Sequence, residues 1–175
     1  MKSIDSEGFY FPENLKCYNA WPLFGKDMKM TIDYRKGTIE DSFTVFKVFL
    51  KSIMDYSERM NVMAITGGKD PEKLASLWES RKPMFEFLAR TASQFWVAEN
   101  NGEILGYARS IEHGGLQELT EFFVSPNQQS AGIGSELLAH AFSKSDARYR
   151  TIIATLDERA LYRYMKMGVY GRFMT

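Results

Sequence analysis

Between Leu119 and Leu138 the chain passes from an apolar strand, through a turn carrying Pro126, into a Gly132-Ile133-Gly134 step and then an amphipathic helix. Nothing else in the sequence limits the fold as much. Another strand, Thr151 to Leu156, follows the helix. Strand–helix–strand runs close by a right-handed crossover, so the two flanking strands should be parallel neighbours. The same stretch prepares a binding site. The first N–H groups of a helix have no intrahelical partners and sit at its positive end, which suits a phosphate or pyrophosphate. Glycines let such a ligand reach the backbone without meeting a Cβ. The step has no third glycine of the dinucleotide fingerprint and no Gly-Lys-Ser/Thr ending of a nucleotide-triphosphate loop.

Upstream, Met30 to Lys36 alternates apolar and polar residues as a half-buried strand does. Thr38-Ile39-Glu40-Asp41 has the spacing of a helix start, and Phe46, Phe49, Leu50, Ile53 and Met54 follow at helical intervals. Asn61 to Asp70, with Gly67-Gly68, reads as a loop. Pro71 opens a second helix bearing Leu74, Leu77 and Trp78, which Pro83 should kink or restart. Phe95–Glu99, Ile104–His113 and Leu116–Val124 are separated by Asn100-Asn101-Gly102 and by Gly114-Gly115, which predicts an antiparallel meander. Ile133, Leu137, Leu138, Ala141 and Phe142 give the next helix one apolar face. After strand Thr151–Leu156, Asp157 caps a helix over Glu158–Met167, Gly168 ends it, and Val169–Thr175 begins another strand. The expected fold class is mixed α/β (α+β): a mostly antiparallel sheet with one parallel pair and helices on both faces. Residues 1–29 mix aromatics with prolines and glycines without periodicity, and read as an N-terminal extension to a domain at 30–175.

Charge and cysteine content narrow the function. Lys plus Arg number 22 and Asp plus Glu number 22, for a net charge of zero. That balance argues against a nucleic-acid groove or an anionic membrane face. No apolar run spans a bilayer and the N-terminus has no secretory core, so a cytoplasmic location is expected. Cys17 is the only cysteine and His113 and His140 the only histidines. An intrachain disulfide and a Cys/His metal cluster are thereby excluded.

Gln129-Ser-Ala-Gly-Ile-Gly134, following Val124-Ser-Pro126 and preceding Leu137-Leu138, resembles the acyl-CoA pyrophosphate loop of the GNAT superfamily of N-acetyltransferases, whose pattern is Gln/Arg-x-x-Gly-x-Gly/Ala. Downstream, Asp157-x-x-Ala160 and Tyr164-Met-Lys-Met-Gly168-Val169 keep the spacing of the family's Asn-x-x-Ala and Tyr-x-x-x-Gly-Phe, with the Asn and the Phe changed. The resemblance runs from about Met30 to the C-terminus.

It implies transfer of an acetyl group from acetyl-CoA to a primary amine by direct attack, with no metal. The backbone of Phe122, Phe123 and Val124 would meet the pantetheine arm and thioester. Gln129, Ser130, Ala131, Gly132, Ile133, Gly134 and Ser135 would hold the pyrophosphate, and Asp157 the arm. Tyr164 is the implied general acid, since a phenol can donate to a departing thiolate at neutral pH. Glu118 is the preferred general base over Glu121. The two stand three apart on one strand and so should face opposite sides. The acceptor would be a small-molecule or peptide amine, in a pocket shaped by the segment from Tyr56 to Ala92. The family fold ends with a strand beyond the one starting near Val169. The expectation is therefore a fragment, the first part of a longer protein, or a sheet completed by a homodimer partner or a second domain. Gln129 stands where the family usually carries a basic residue and Asp157 where it carries Asn. These changes keep an alternative open: a catalytically silent CoA-binding regulatory or interaction module of the same fold.

Overall fold

The computed structural model describes residues 31–61, 71–128, 132–143, 145–155 and 157–171. The expected N-terminal extension, the Gly67-Gly68 loop and most of the last expected strand lie outside them. The elements are β1 (Asp33–Lys36), α1 (Ser42–Arg59), α2 (Pro71–Thr91), β2 (Gln94–Asn100), β3 (Glu103–His113), β4 (Leu116–Val124), α3 (Ile133–Ala141), β5 (Tyr149–Ile152) and α4 (Glu158–Lys166). Single 3-10 turns precede α1 and follow β4.

The five strands form one sheet in sequence order. The first three pairings are antiparallel. The pair β4–β5 is parallel, as a crossover through α3 requires. The hairpin turn places Asn101 and Gly102 at φ 49° and 82°, left-handed backbone that Asn and Gly tolerate best.

Strand alternation sends side chains to two cores. On one face, Phe95, Val97, Ile104 and Tyr107 pack against Val45 and Phe46 of α1 and Phe85 of α2. On the other, Ala98, Leu105 and Ala108 meet Ile133, Leu137 and Ala141 of α3. Leu119, Leu138 and Phe142 then receive Tyr164 of α4. Helices thus cover both faces. No helix among the described residues is long and apolar enough to cross a membrane.

Three local readings of the sequence are corrected. Of the two outcomes expected at Pro83, a restart does not occur, since helix α2 runs unbroken through it. A proline removes one N–H and strains the preceding turn, at a cost of about 3 kcal/mol. Pro83 is exposed, so the carbonyl it leaves unpaired is on the solvent side, while Trp78 and Phe85 anchor the helix before and after it. Strand β5 ends at Ile152 instead of Leu156, because its ladder with β4 stops at Leu119↔Ile152. Val169 to Gly171 carry no strand.

The fourth correction concerns the sheet itself. β3 pairs Arg109 with Glu121 and Ser110 with Leu119, which leaves Thr120 as an extra residue in β4. Its hydroxyl donates to the Arg109 carbonyl at 3.1 Å. This β-bulge inverts the alternation. Glu118 lies opposite Ile111 and Glu121 opposite Arg109, two positions on the same face of β3. Both carboxylates are therefore on the α1–α2 side, not on opposite sides.

Candidate functional site

Past Leu119 and Ile152 the parallel strands no longer pair, and the space between them becomes a cavity of ≈ 180 Å³. Residues 119–124 of β4 form one wall and residues 152–155 the other. Helix α1 closes one side with Ser52, Ile53, Tyr56 and Arg59, and α4 the other with Arg159, Arg163 and Tyr164. The Ser52 hydroxyl donates to the Val124 carbonyl at 3.2 Å, which fixes α1 to the end of β4. The cavity is small beside typical ligand pockets of 300–1,000 Å³. It suits a narrow chain, with anything bulkier left at the mouth.

Gly132 and Gly134 differ in role. Gly132 caps α3 with φ 83°, a backbone that side chains rarely adopt, and its carbonyl accepts from the Ser135 N–H at 3.0 Å. Gly134 lines the cavity in the first turn of α3. A Cβ there would lie 3.0 Å from the Phe122 ring and 3.5 Å from Nε of Arg163. Gly134 thus allows α3 to pack closely on Phe122. Ile133 is buried under the helix, and Ser135 is exposed. Gln129, Ser130 and Ala131 lie outside the described residues, although Gln128 before them lines the cavity.

Phe122, Phe123 and Val124 all line the cavity. The Phe122 ring meets Tyr164 at 6.2 Å between centroids, and that of Phe123 meets Phe49 at 5.1 Å. Tyr164 lies on α4 with 8% exposure. Burial, with Asp157 nearby, pushes its phenol up to about 12, so it keeps its proton at neutral pH. Asp157 caps α4 as expected, accepting from the N–H groups of Arg159 and Ala160. It also pairs with Arg59 of α1 at 2.8 Å. Burial would raise its carboxyl, but the Arg59 hydrogen bond and the Ala160 N–H together hold it below the usual carboxylate range.

Of the two candidate bases, Glu121 lines the cavity and Glu118 does not. Glu121 accepts from Nη1 of Arg109 at 2.9 Å and from the Tyr107 hydroxyl at 3.1 Å. Burial lifts its carboxyl above the ordinary range against the pull of these two partners. Arg109 is fully buried with the Phe95 ring 4.1 Å from its guanidinium. His140 stacks on Trp96 at 4.2 Å, away from the cavity lining.

Sequence reasoning missed the arginines at the rim. Arg159 and Arg163 stand four apart on α4, beside the Ala160–Tyr164 stripe, and that spacing was the available signal.

Residues 91–168 match the family model described as an acetyltransferase (GNAT) domain. The fold is similar to that of the PaiA N-acetyltransferase from Thermoplasma acidophilum, solved in complex with coenzyme A. Identity is 18%, 78% of this chain and 88% of that one are covered, and the TM-score is 0.56. It is also similar to a GCN5-related N-acetyltransferase from Ralstonia eutropha JMP134, at 19% identity, 83% and 96% coverage and a TM-score of 0.55. A third similar structure is AAC(6')-Iy in complex with the bisubstrate analog CoA-S-monomethyl-acetylneamine, at 14% identity, 83% and 96% coverage and a TM-score of 0.53. No curated protein matches the sequence significantly. At these identities the likeness is one of fold.

Proposed function

With the GNAT acetyltransferase domain model matched over residues 91–168 and the fold of that family around it, we propose that this protein transfers an acetyl group from acetyl-CoA to a primary amine. The observation that carries this reading is the cavity opened where β4 and β5 part. The first turn of α3 with Gly134 borders it, and the Tyr164 phenol lines it. The chain's own residues fit an acyl-CoA: the slot takes a linear arm, and an anion at its mouth would meet the α3 N-terminus.

In this reading the amine nitrogen attacks the thioester carbonyl carbon. The C–N bond forms as the C–S bond breaks, and Tyr164 gives its proton to the departing thiolate. Backbone groups at the end of β4 hold the arm in line. Asp157 and Arg59 brace the α1 and α4 sides. The α1 wall, with Ser52, Ile53 and Tyr56, is where the acceptor would enter. A carboxylate takes the amine's proton directly or through water. The family resemblance points to Glu118, while the cavity lining favours Glu121. A soluble domain of residues 30–175 with a separate extension at 1–29 is part of the same proposal.

The test is calorimetry with acetyl-CoA, followed by free-thiol release with a panel of amines. Binding together with amine-dependent release supports the transferase. Binding with no release for any amine supports the silent CoA-binding module, and no binding removes both.

A further inference from the structure

The three arginines lining the cavity differ in how their charge is met. Arg59 is paired with Asp55 at 2.9 Å and Asp157 at 2.8 Å. Arg159 has its Nε 4.0 Å from Asp157. Arg163 has no carboxylate partner among the described residues. Among the described residues its guanidinium donates to the Arg159 carbonyl alone, at 3.1 Å. Yet its Nε would lie 3.5 Å from a Cβ on Gly134, in the first turn of α3. The aligned peptides of α3 already make that end positive. An unneutralised guanidinium beside a positive helix end raises the energy of the protein alone. The arrangement becomes favourable when an anion sits between them, because charge-assisted hydrogen bonds then form from both sides.

Resting on the acyl-CoA reading above, we propose that Arg163 supplies from α4 the positive charge for the acyl-CoA diphosphate that the glycine loop, with Gln128 and Gln129, does not carry. The diphosphate is assigned, as opposed to the 3'-phosphate, because among the described residues Arg163, a guanidinium with no carboxylate partner, converges with the first turn of α3 at Gly134.

The experiment compares full-length wild-type protein with Arg163→Gln and Arg163→Lys. Calorimetry gives the Kd for CoA and for 3'-dephospho-CoA, and turnover is measured with acetyl-pantetheine, a thioester without phosphates. Arg163→Gln should weaken CoA and 3'-dephospho-CoA alike, by about tenfold. Arg163→Lys should recover part of that loss, and Arg163→Gln should lower turnover of acetyl-pantetheine by much less than it lowers turnover of acetyl-CoA at limiting cosubstrate. A loss confined to CoA would move Arg163 to the 3'-phosphate and overturn the assignment. An equal loss with acetyl-pantetheine would make its role structural, and an unchanged Kd would remove it from binding. If wild-type protein binds CoA while Arg163→Gln binds it equally, this inference fails alone. If the wild type binds neither phosphorylated probe, the acyl-CoA reading fails with it.

Discussion

Arg59, in the last turn of α1, donates to Asp157, the N-cap of α4, at 2.8 Å. The pair joins two walls of the cavity. Asp157 also accepts from the N–H groups of Arg159 at 3.0 Å and Ala160 at 3.2 Å. An Asn at this position could cap the helix but could not neutralise Arg59. The carboxylate is thus a negative charge in the cavity wall neutralised from the neighbouring helix.

Asp157→Asn should separate those two roles. Asn caps helices about as well as Asp, and half-exposed ion pairs contribute little, so the loss should stay below about 1 kcal/mol. Asp157→Ala loses the cap too and should cost about 1–2 kcal/mol. Urea unfolding at pH 7 measures both. Equal losses would show that the cap contributes nothing.

The same carboxyl sets a pH window. Its folded value is held below the unfolded one of about 3.9. Its stabilising contribution is therefore complete above pH ~4 and disappears as pH falls through the folded value. The stability difference between wild type and Asp157→Asn should be flat from pH 5 to 7 and shrink below pH ~4. A difference growing towards acid would contradict the assignment.

Tyr164→Phe should lower turnover about a hundredfold while leaving the Kd of CoA nearly unchanged. The phenol is pushed up to about 12, so no alkaline limb from Tyr164 should appear in the rate below pH 10. Steady-state kinetics across pH, with calorimetry, checks this. Full activity in Tyr164→Phe would take the phenol out of the reaction.

Glu121→Gln should destabilise the domain by about 3 kcal/mol or more, because it leaves Arg109, which is fully buried, without its counter-charge. Replacing both, as Arg109→Met with Glu121→Leu, should recover much of that loss. Denaturant unfolding of the two singles and the double measures the coupling. Additive losses would mean that the pair is not an energetic unit.

Much of the fold was legible because its signals are local. Asn100-Asn101-Gly102 and Gly114-Gly115 marked the meander, and the apolar face from Ile133 to Phe142 marked the crossover helix. Pro83 did not end its helix because Trp78 and Phe85 pack on either side of it. The end of β5 was misjudged because Ile153 to Thr155 look strand-like but have lost their neighbour in β4. Within the site, Gly134 stood out as part of a glycine step at a helix start and Tyr164 only through the family resemblance, and both line the cavity. Arg163 did not stand out, since its meeting with Gly134 depends on how α4 docks beside α3. Nor could the same-side placement of Glu118 and Glu121 be read, because it depends on pairing register and not on spacing along one strand.

Thr120 acts on β4 as a phase slip. Without it Leu119 would still meet Ser110 and Glu121 would still meet Arg109, now as consecutive residues of an unbroken ladder, with Leu119 in the core and Glu121 on the α1–α2 side. What the added residue contributes is local twist and bend, so shortening the strand at this point would re-aim the cavity wall and not unseat the core.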